Sequence, residues 1–200
     1  MNKTLRLKIT ATVVVLATIT VSAITLPAAE PASDAGFKFQ AGLTYLNGVK
    51  DLVTNIEANN PRFELTTILP VGLSLNPYYE FGNGLGIGLS VGPAILGFGD
   101  ASFHVVPVGA DLRYTFLRDK PVSPYVRAGV QYPFAGGDFI ESSSIGFVGV
   151  AGVEFGHRKS FGWGVEAGYN SSEVKLLAGG GRPAVNVKPF GFNVGLFFRF

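Results

Sequence analysis

The sequence predicts an all-β protein in which eight antiparallel strands close, up-and-down, into a transmembrane β-barrel. Three observations predict it. In the segment GFNVGLFFRF, Phe192, Val194, Leu196, Phe198 and Phe200 fall on one parity, and Gly191, Asn193, Gly195, Phe197 and Arg199 on the other. Successive strand side chains point to opposite faces, so this segment has one greasy face and one mostly small or polar face. An aromatic at the end of the greasy face suits a membrane–water boundary. Composition agrees: charged residues are 15% and glycines number 27 of 200, where ordinary soluble domains carry about a quarter charged residues. Finally, no stretch after residue 26 is continuously apolar for the ~20 residues of a membrane helix. The hydrophobicity is spread out, and strands hide it by alternation.

The first residues read as an export signal. Lys3, Arg6 and Lys8 form a basic region, Ile9 to Ile24 is apolar and threonine-diluted, and Val21-Ser22-Ala23 offers small residues for cleavage. Residues 1–23 are therefore expected to be a cleaved signal peptide, with residue 29 as the latest cut. Residues 24–35 form a short linker and residues 36–200 the barrel. The formal charge is +2; removing the three basic residues of the leader leaves −1, so the basic balance gives no argument for a nucleic-acid partner. The absence of cysteine removes disulfides, thiolate metal sites and thiol catalysis.

The strands follow in order. The first, Gly36 to Leu46, sets Phe37, Phe39, Ala41, Leu43 and Tyr45 against Lys38, Gln40, Gly42 and Thr44. The second runs from Phe63 to Phe81 with its greasy residues on odd positions; Pro70 cannot donate a ladder bond and marks an irregularity. Gly82-Asn83-Gly84 is a hairpin turn, because Asn and Gly accept positive φ. The third strand then places Leu85, Ile87, Leu89 and Val91 outward. The fourth (His104 to Phe116) and fifth (Pro124 to Phe134) alternate cleanly, with Asp111, Arg113, Arg127 and Gln131 inward. The sixth, Ser144 to Phe155, is broken by Val148 and Val150 on the inward parity. The seventh sets Phe161, Trp163, Val165, Ala167 and Tyr169 against three glycines, Glu166 and Asn170. The eighth starts near Val185 and ends at Phe200.

Long and short connections alternate, as they do in barrels with short turns inside and long loops outside. Val49 to Ala58 is expected to form a short helix in the first long connection. Aromatics cluster at strand ends, as interfacial girdles require. A soluble sandwich or lipocalin-like barrel has the same alternation turned inward, but here the non-greasy faces are glycine-rich and poorly charged, which suits a narrow interior.

The leader, the alternation and the phrases PVSPYVRAGVQY (Pro121 to Tyr132), VAGVEFG (Val150 to Gly156) and GFNVGLFFRF carry a resemblance. The chain resembles small bacterial outer-membrane β-barrels of the OmpA-barrel, OmpX and opacity-protein kind, over essentially all of its length after the leader. The resemblance implies residence in the outer membrane, contact with its lipid, and handling by periplasmic chaperones and the barrel-assembly machinery. It also implies that Phe192, Val194, Leu196, Phe198 and Phe200 form the signal that machinery reads.

An eight-stranded barrel is just wide enough to be filled by side chains. Lys38, Arg113, Arg127 and Arg199 are expected to face Glu64, Glu80, Asp111, Glu154 and Glu166 inside it, a near-balance that favours closed ion pairing over a single-sign pore. His104 and His157 are the only histidines and fall at opposite ends, so they cannot share a metal; His157 is expected in a solvated turn. Ser102, Asp100 and His104 hold the residue types of a hydrolase but no motif of one. GNGLGIG (Gly82 to Gly88) is a hairpin, since no helix follows it, and the acids are too dispersed for a glycosidase pair. No cofactor is expected. The functional expectation is a non-catalytic outer-membrane protein with a structural or surface-recognition role through its outer loops. A narrow channel for small solutes and a lipid-modifying enzyme are the alternatives.

Overall fold

The computed structural model describes residues 35–59, 71–98, 102–179 and 181–200. The expected leader, the linker up to residue 34, Glu64 with the start of the expected second strand, and Asp100 lie outside them. In chain order the elements are β1 (Gly36–Leu46), α1 (Val49–Asn59), β2 (Val71–Glu80), β3 (Leu85–Val91), β4 (Ile95–Phe98), β5 (Ser102–Thr115) and β6 (Val122–Gly137). They continue with β7 (Ile140–Ser144), β8 (Gly146–Phe155), β9 (Gly162–Asn170), β10 (Glu173–Leu176), β11 (Val185–Val187) and β12 (Phe192–Arg199).

Eight strands, β1, β2, β3, β5, β6, β8, β9 and β12, pair antiparallel in that order, and β12 pairs back onto β1. The ring is closed. The amides of Phe39 and Phe200 donate to each other's carbonyls at 3.0 and 2.8 Å, which extends the seam between first and last strand to the final residue. Paired residues trace one circuit: Phe37, Tyr79, Ile87, Leu112, Ala128, Gly149, Tyr169, Phe192. The Phe192 carbonyl then accepts from the Asn47 amide at 3.1 Å. The circuit has climbed from residue 37 to residue 47, a stagger of ten residues (47 − 37). Ten residues of rise over eight strand widths imply a tilt of roughly 40°.

That circuit also shows the outer surface. It begins on the aromatic pair Phe37–Tyr79, passes through aliphatic and small residues, and ends on Tyr169–Phe192, whose rings meet edge to face at 5.2 Å. Near the short turns, Tyr79 packs on Phe81, Tyr114 on Phe116 and Phe155 on Trp163. Near the long connections stand Tyr132, Phe134, Tyr169 and Phe192, and Phe147 is 75% exposed. Two aromatic girdles with an aliphatic band between them are the surface of a lipid-spanning barrel.

Inside, large and small residues face one another. A Cβ on Gly152 would sit 2.6 Å from the Tyr125 ring, and one on Gly164 would sit 2.5 Å from the Phe197 ring. These glycines make room for the side chains across the ladder. Two expectations need correcting. The eighth strand does not start near Val185: Val185–Val187 is a separate strand pairing with β10, and β12 begins at Phe192. Pro189, which has no N–H to donate, and Gly191 at φ +26° separate the two. The segment from Ser144 is likewise two strands, β7 ending at Ser144 and β8 starting at Gly146.

Gly164→Ala should cost about 1–3 kcal/mol through overpacking and lower the urea midpoint of the folded barrel. Gly149→Ala, whose methyl would meet nothing within 4 Å, should stay within about 0.5 kcal/mol of the parent.

Candidate functional site

The interior is filled in tiers. At the short-turn end lies a buried ion cluster. Glu154, on β8, accepts from Arg113 Nη2 at 2.6 Å and from Arg199 Nε, and its Oε1 lies 3.2 Å from His157 Nδ1. Glu80, at the end of β2, takes Arg118 Nε at 3.1 Å and Lys38 Nζ at 3.2 Å, and its Oε1 lies 2.9 Å from His157 Nε2. His157 thus bridges the two carboxylates. It is 4% exposed, which corrects the expected solvated turn: the turn after β8 folds under the barrel and inserts the ring into its mouth. Arg199 holds that turn in place, donating from Nη2 to the carbonyls of Gly156, His157 and Lys159 at 2.9, 3.0 and 2.8 Å.

One tier up, the Arg113 guanidinium lies over the Tyr125 ring at 3.6 Å and the Tyr78 ring at 4.9 Å, and donates to Gln40 Oε1 at 2.9 Å. A guanidinium between aromatic faces gains cation–π attraction where water is excluded. Arg113 and Arg127 are direct cross-strand partners, an arrangement that is repulsive by itself. They diverge: Arg113 reaches down to Glu154, while Arg127 reaches Asp111 at 3.2 Å and Glu166 at 3.6 Å. Glu166 also accepts from Gln40 at 3.1 Å and from the Tyr125 hydroxyl.

Beside these ions sits an apolar layer of Tyr125, Val148, Val150 and Phe197. Val148 and Val150 interrupt the sequence alternation because they point inward to build it. Above it is a neutral polar tier, with Asn170 donating to Gln131 at 2.6 Å and Gln131 to Ser90 at 2.8 Å. A cavity of about 30 Å³ lies here, bordered by Asn76, Ser90, Arg127 and Gln131. That volume suits about two water molecules.

At the long-connection end the barrel is roofed. Leu46, Val49, Leu52, Ile56, Ile95, Phe103, Val105, Phe139, Val174, Leu176, Val187 and Phe190 form one buried apolar cluster. Helix α1 contributes Val49, Leu52 and Ile56 from one face, at the i, i+3 and i+7 spacing that keeps residues in line along a helix. Strands β7, β10 and β11 form a second, three-stranded sheet. Val174 and Val187 are direct partners that turn inward, while Lys175 and Asn186 face out.

Lys38, Glu80, Asp111, Arg113, Arg127, Glu154, Glu166 and Arg199 all lie buried within the barrel; Glu64 is outside the described residues. Parity shows none of the turn residues that join them. His157 and Arg118 lie beyond strand ends, where period-two alternation stops carrying information. Phe192, Val194, Leu196 and Phe198 project outward, and Phe161 packs on Phe198 and Phe200. His104 is exposed near the start of β5, and among the described residues no hydrogen bond joins it to a hydroxyl. Nor, among those residues, is any group of three or more His, Cys, Asp or Glu placed to hold a metal.

The outer membrane protein beta-barrel domain family matches residues 15–200. The chain belongs to that family. It is a β-barrel protein of the bacterial outer membrane. Its fold is similar to that of the outer membrane protein OprG from Pseudomonas aeruginosa, with TM-score 0.53 and 15% identity over 83% of this chain and 96% of that one. Neisserial surface protein A matches with TM-score 0.48 and 15% identity over 85% of this chain and 98% of that one. Ail, the attachment invasion locus protein of Yersinia pestis, matches with TM-score 0.40 and 15% identity over 83% and 97%. No curated protein matches. In such barrels the short turns are periplasmic and the long connections extracellular, so the ion cluster is the periplasmic floor and the apolar roof an extracellular cap.

Glu154→Gln should be strongly destabilising, by about 3–5 kcal/mol, because Arg113 and Arg199 would lose a charged partner inside the barrel. The check is the urea midpoint of the purified protein in micelles, with Glu141→Gln, in an exposed pair with Lys175, expected within about 1 kcal/mol of the parent.

Proposed function

We propose that this protein is a sealed, non-catalytic anchor that displays a folded extracellular cap as a recognition surface. One observation carries the reading. The cap core draws residues from all four extracellular connections: α1 from the first, Ile95 of β4 from the second, Phe139 from the third, and Val174, Leu176, Val187 and Phe190 from the fourth. Loops that share a buried core hold one shape, and a fixed shape is what specific recognition needs. The face offered is polar and ordered. Lys175 pairs with Glu141 at 2.7 Å, Lys188 pairs with Glu173 at 3.5 Å, and Asn186 donates to Glu173 at 3.3 Å, across the outer side of the three-stranded sheet.

The channel alternative has little room. Floor, arginine–tyrosine tier and cap occupy the axis in succession, and the cavity beside Asn76 and Gln131, about 30 Å³, is far below what a solute path would need. For lipid chemistry, the described residues offer His104 no hydroxyl partner within hydrogen-bond reach, which weighs against an activated nucleophile.

Biogenesis is part of the proposal. Residues 1–23 direct export and are removed, and residues 24–35 form the linker. Periplasmic chaperones and the barrel-assembly machinery act on the unfolded chain, and the outward row Phe192, Val194, Leu196, Phe198 and Phe200 is the recognised signal. The folded barrel is then held by outer-membrane lipid. The mature N-terminus should lie between residues 24 and 30, as read by N-terminal sequencing of the membrane form.

In planar bilayers the purified protein should give no conductance step above background; a reproducible large step would overturn the sealed reading. Leu52→Asp, at a site 0% exposed, should open the cap to protease while the barrel keeps its altered migration in unheated gels. Protease resistance equal to the parent's would show that the cap does not depend on its apolar core.

A further inference from the structure

The periplasmic rim carries a one-sided basic patch, built by the turns after β5 and β8. The two turns touch: Gly156 N–H donates to Pro121 O at 3.2 Å, and Arg158 Nη1 donates to Asp119 Oδ1 at 3.3 Å. Between them they carry four cations besides His157, namely Arg118, Lys120, Arg158 and Lys159, against the single acid Asp119. Arg118 is turned under the barrel, onto Glu80 and the Gly82 carbonyl. Lys120, Arg158 and Lys159 remain exposed.

Their backbone is held from inside. Arg199 binds three carbonyls of the second turn, and in the first the Leu117 carbonyl accepts from Lys120 N–H at 2.9 Å and from Ser123 Oγ at 3.2 Å. Leu117 itself has φ +49°, a left-handed conformation that a leucine rarely adopts. The result is an apolar side chain 61% exposed on the outside, immediately beside the lower girdle residue Phe116, with Phe161 flanking the second turn. The patch therefore sits where acyl chains give way to headgroups. The turn after β2, Gly82-Asn83-Gly84, carries no charge, so the feature belongs to one side of the barrel.

We propose that Lys120, Arg158 and Lys159 form a headgroup site for anionic glycerophospholipid of the periplasmic leaflet. Leu117, Phe116 and Phe161 contact the upper acyl chain, and the three cations meet the phosphodiester and its neighbours. Each cation near an anionic surface contributes about fivefold to the preference at low salt, and the effect fades as salt screens it.

The test is native mass spectrometry of the full-length mature protein, released from micelles containing equal phosphatidylglycerol and phosphatidylethanolamine. The parent should retain phosphatidylglycerol preferentially. The triple variant Lys120→Gln, Arg158→Gln, Lys159→Gln should lose that preference, and Lys50→Gln, on the exposed face of α1, should keep it. If the triple variant does not fold, the single substitutions are read instead, each losing about fivefold. Equal retention of the two lipids by the parent, or an unchanged preference in the folded variants, would overturn the proposal. So would salt-sensitive binding to purified peptidoglycan through the same three residues without any lipid preference, which would assign the patch to the cell wall.

Discussion

Within hydrocarbon a peptide group has no water to bond, so each N–H and C=O left over at a sheet edge costs several kcal/mol. Pairing β12 back onto β1 removes both edges at once. Much else follows from that closure. Eight strands and a stagger of ten residues set the tilt, and the tilt sets the bore. The bore then decides which side chains can lie inside. Glycine stands beside the Tyr125 and Phe197 rings because those rings already occupy the space a Cβ would need.

Charge is arranged under the same constraint. Arg113 and Arg127 are neighbours across the ladder, yet their guanidinium groups serve separate carboxylates, one at the floor and one at mid-height. Buried ions cost several kcal/mol each unless well paired and hydrogen-bonded. Here Glu154, Glu80 and Glu166 each receive more than one donor. The ion pairs are better read as specifying which side chains meet than as a net source of stability.

Alternation made most of the barrel legible. The parity of Phe192 through Phe200, of Val126 through Phe134 and of Phe161 through Tyr169 agrees with the faces observed, and Tyr125, Arg127 and Gln131 lie inside as their parity requires. The aromatic girdles and the alternation of turn lengths were equally readable. Three things were not. Val148 and Val150 look like a broken strand until the apolar layer they complete is seen. His157 and Arg118 lie in turns, where no periodicity tells inside from outside. The cap is assembled from short segments such as β4, β10 and β11, each too brief to carry a pattern and meaningful only once folded against the others.

The cap has a consequence for the order of events. Its pieces are separated along the chain by whole membrane-crossing hairpins, and helix α1, from the first connection, shares its core with Val187 and Phe190, from the last. No pair of neighbouring hairpins can assemble that core alone. The core can therefore be complete only after every outer segment has been delivered across the bilayer. Until then the apolar faces of the segments already outside lack the partners that bury them.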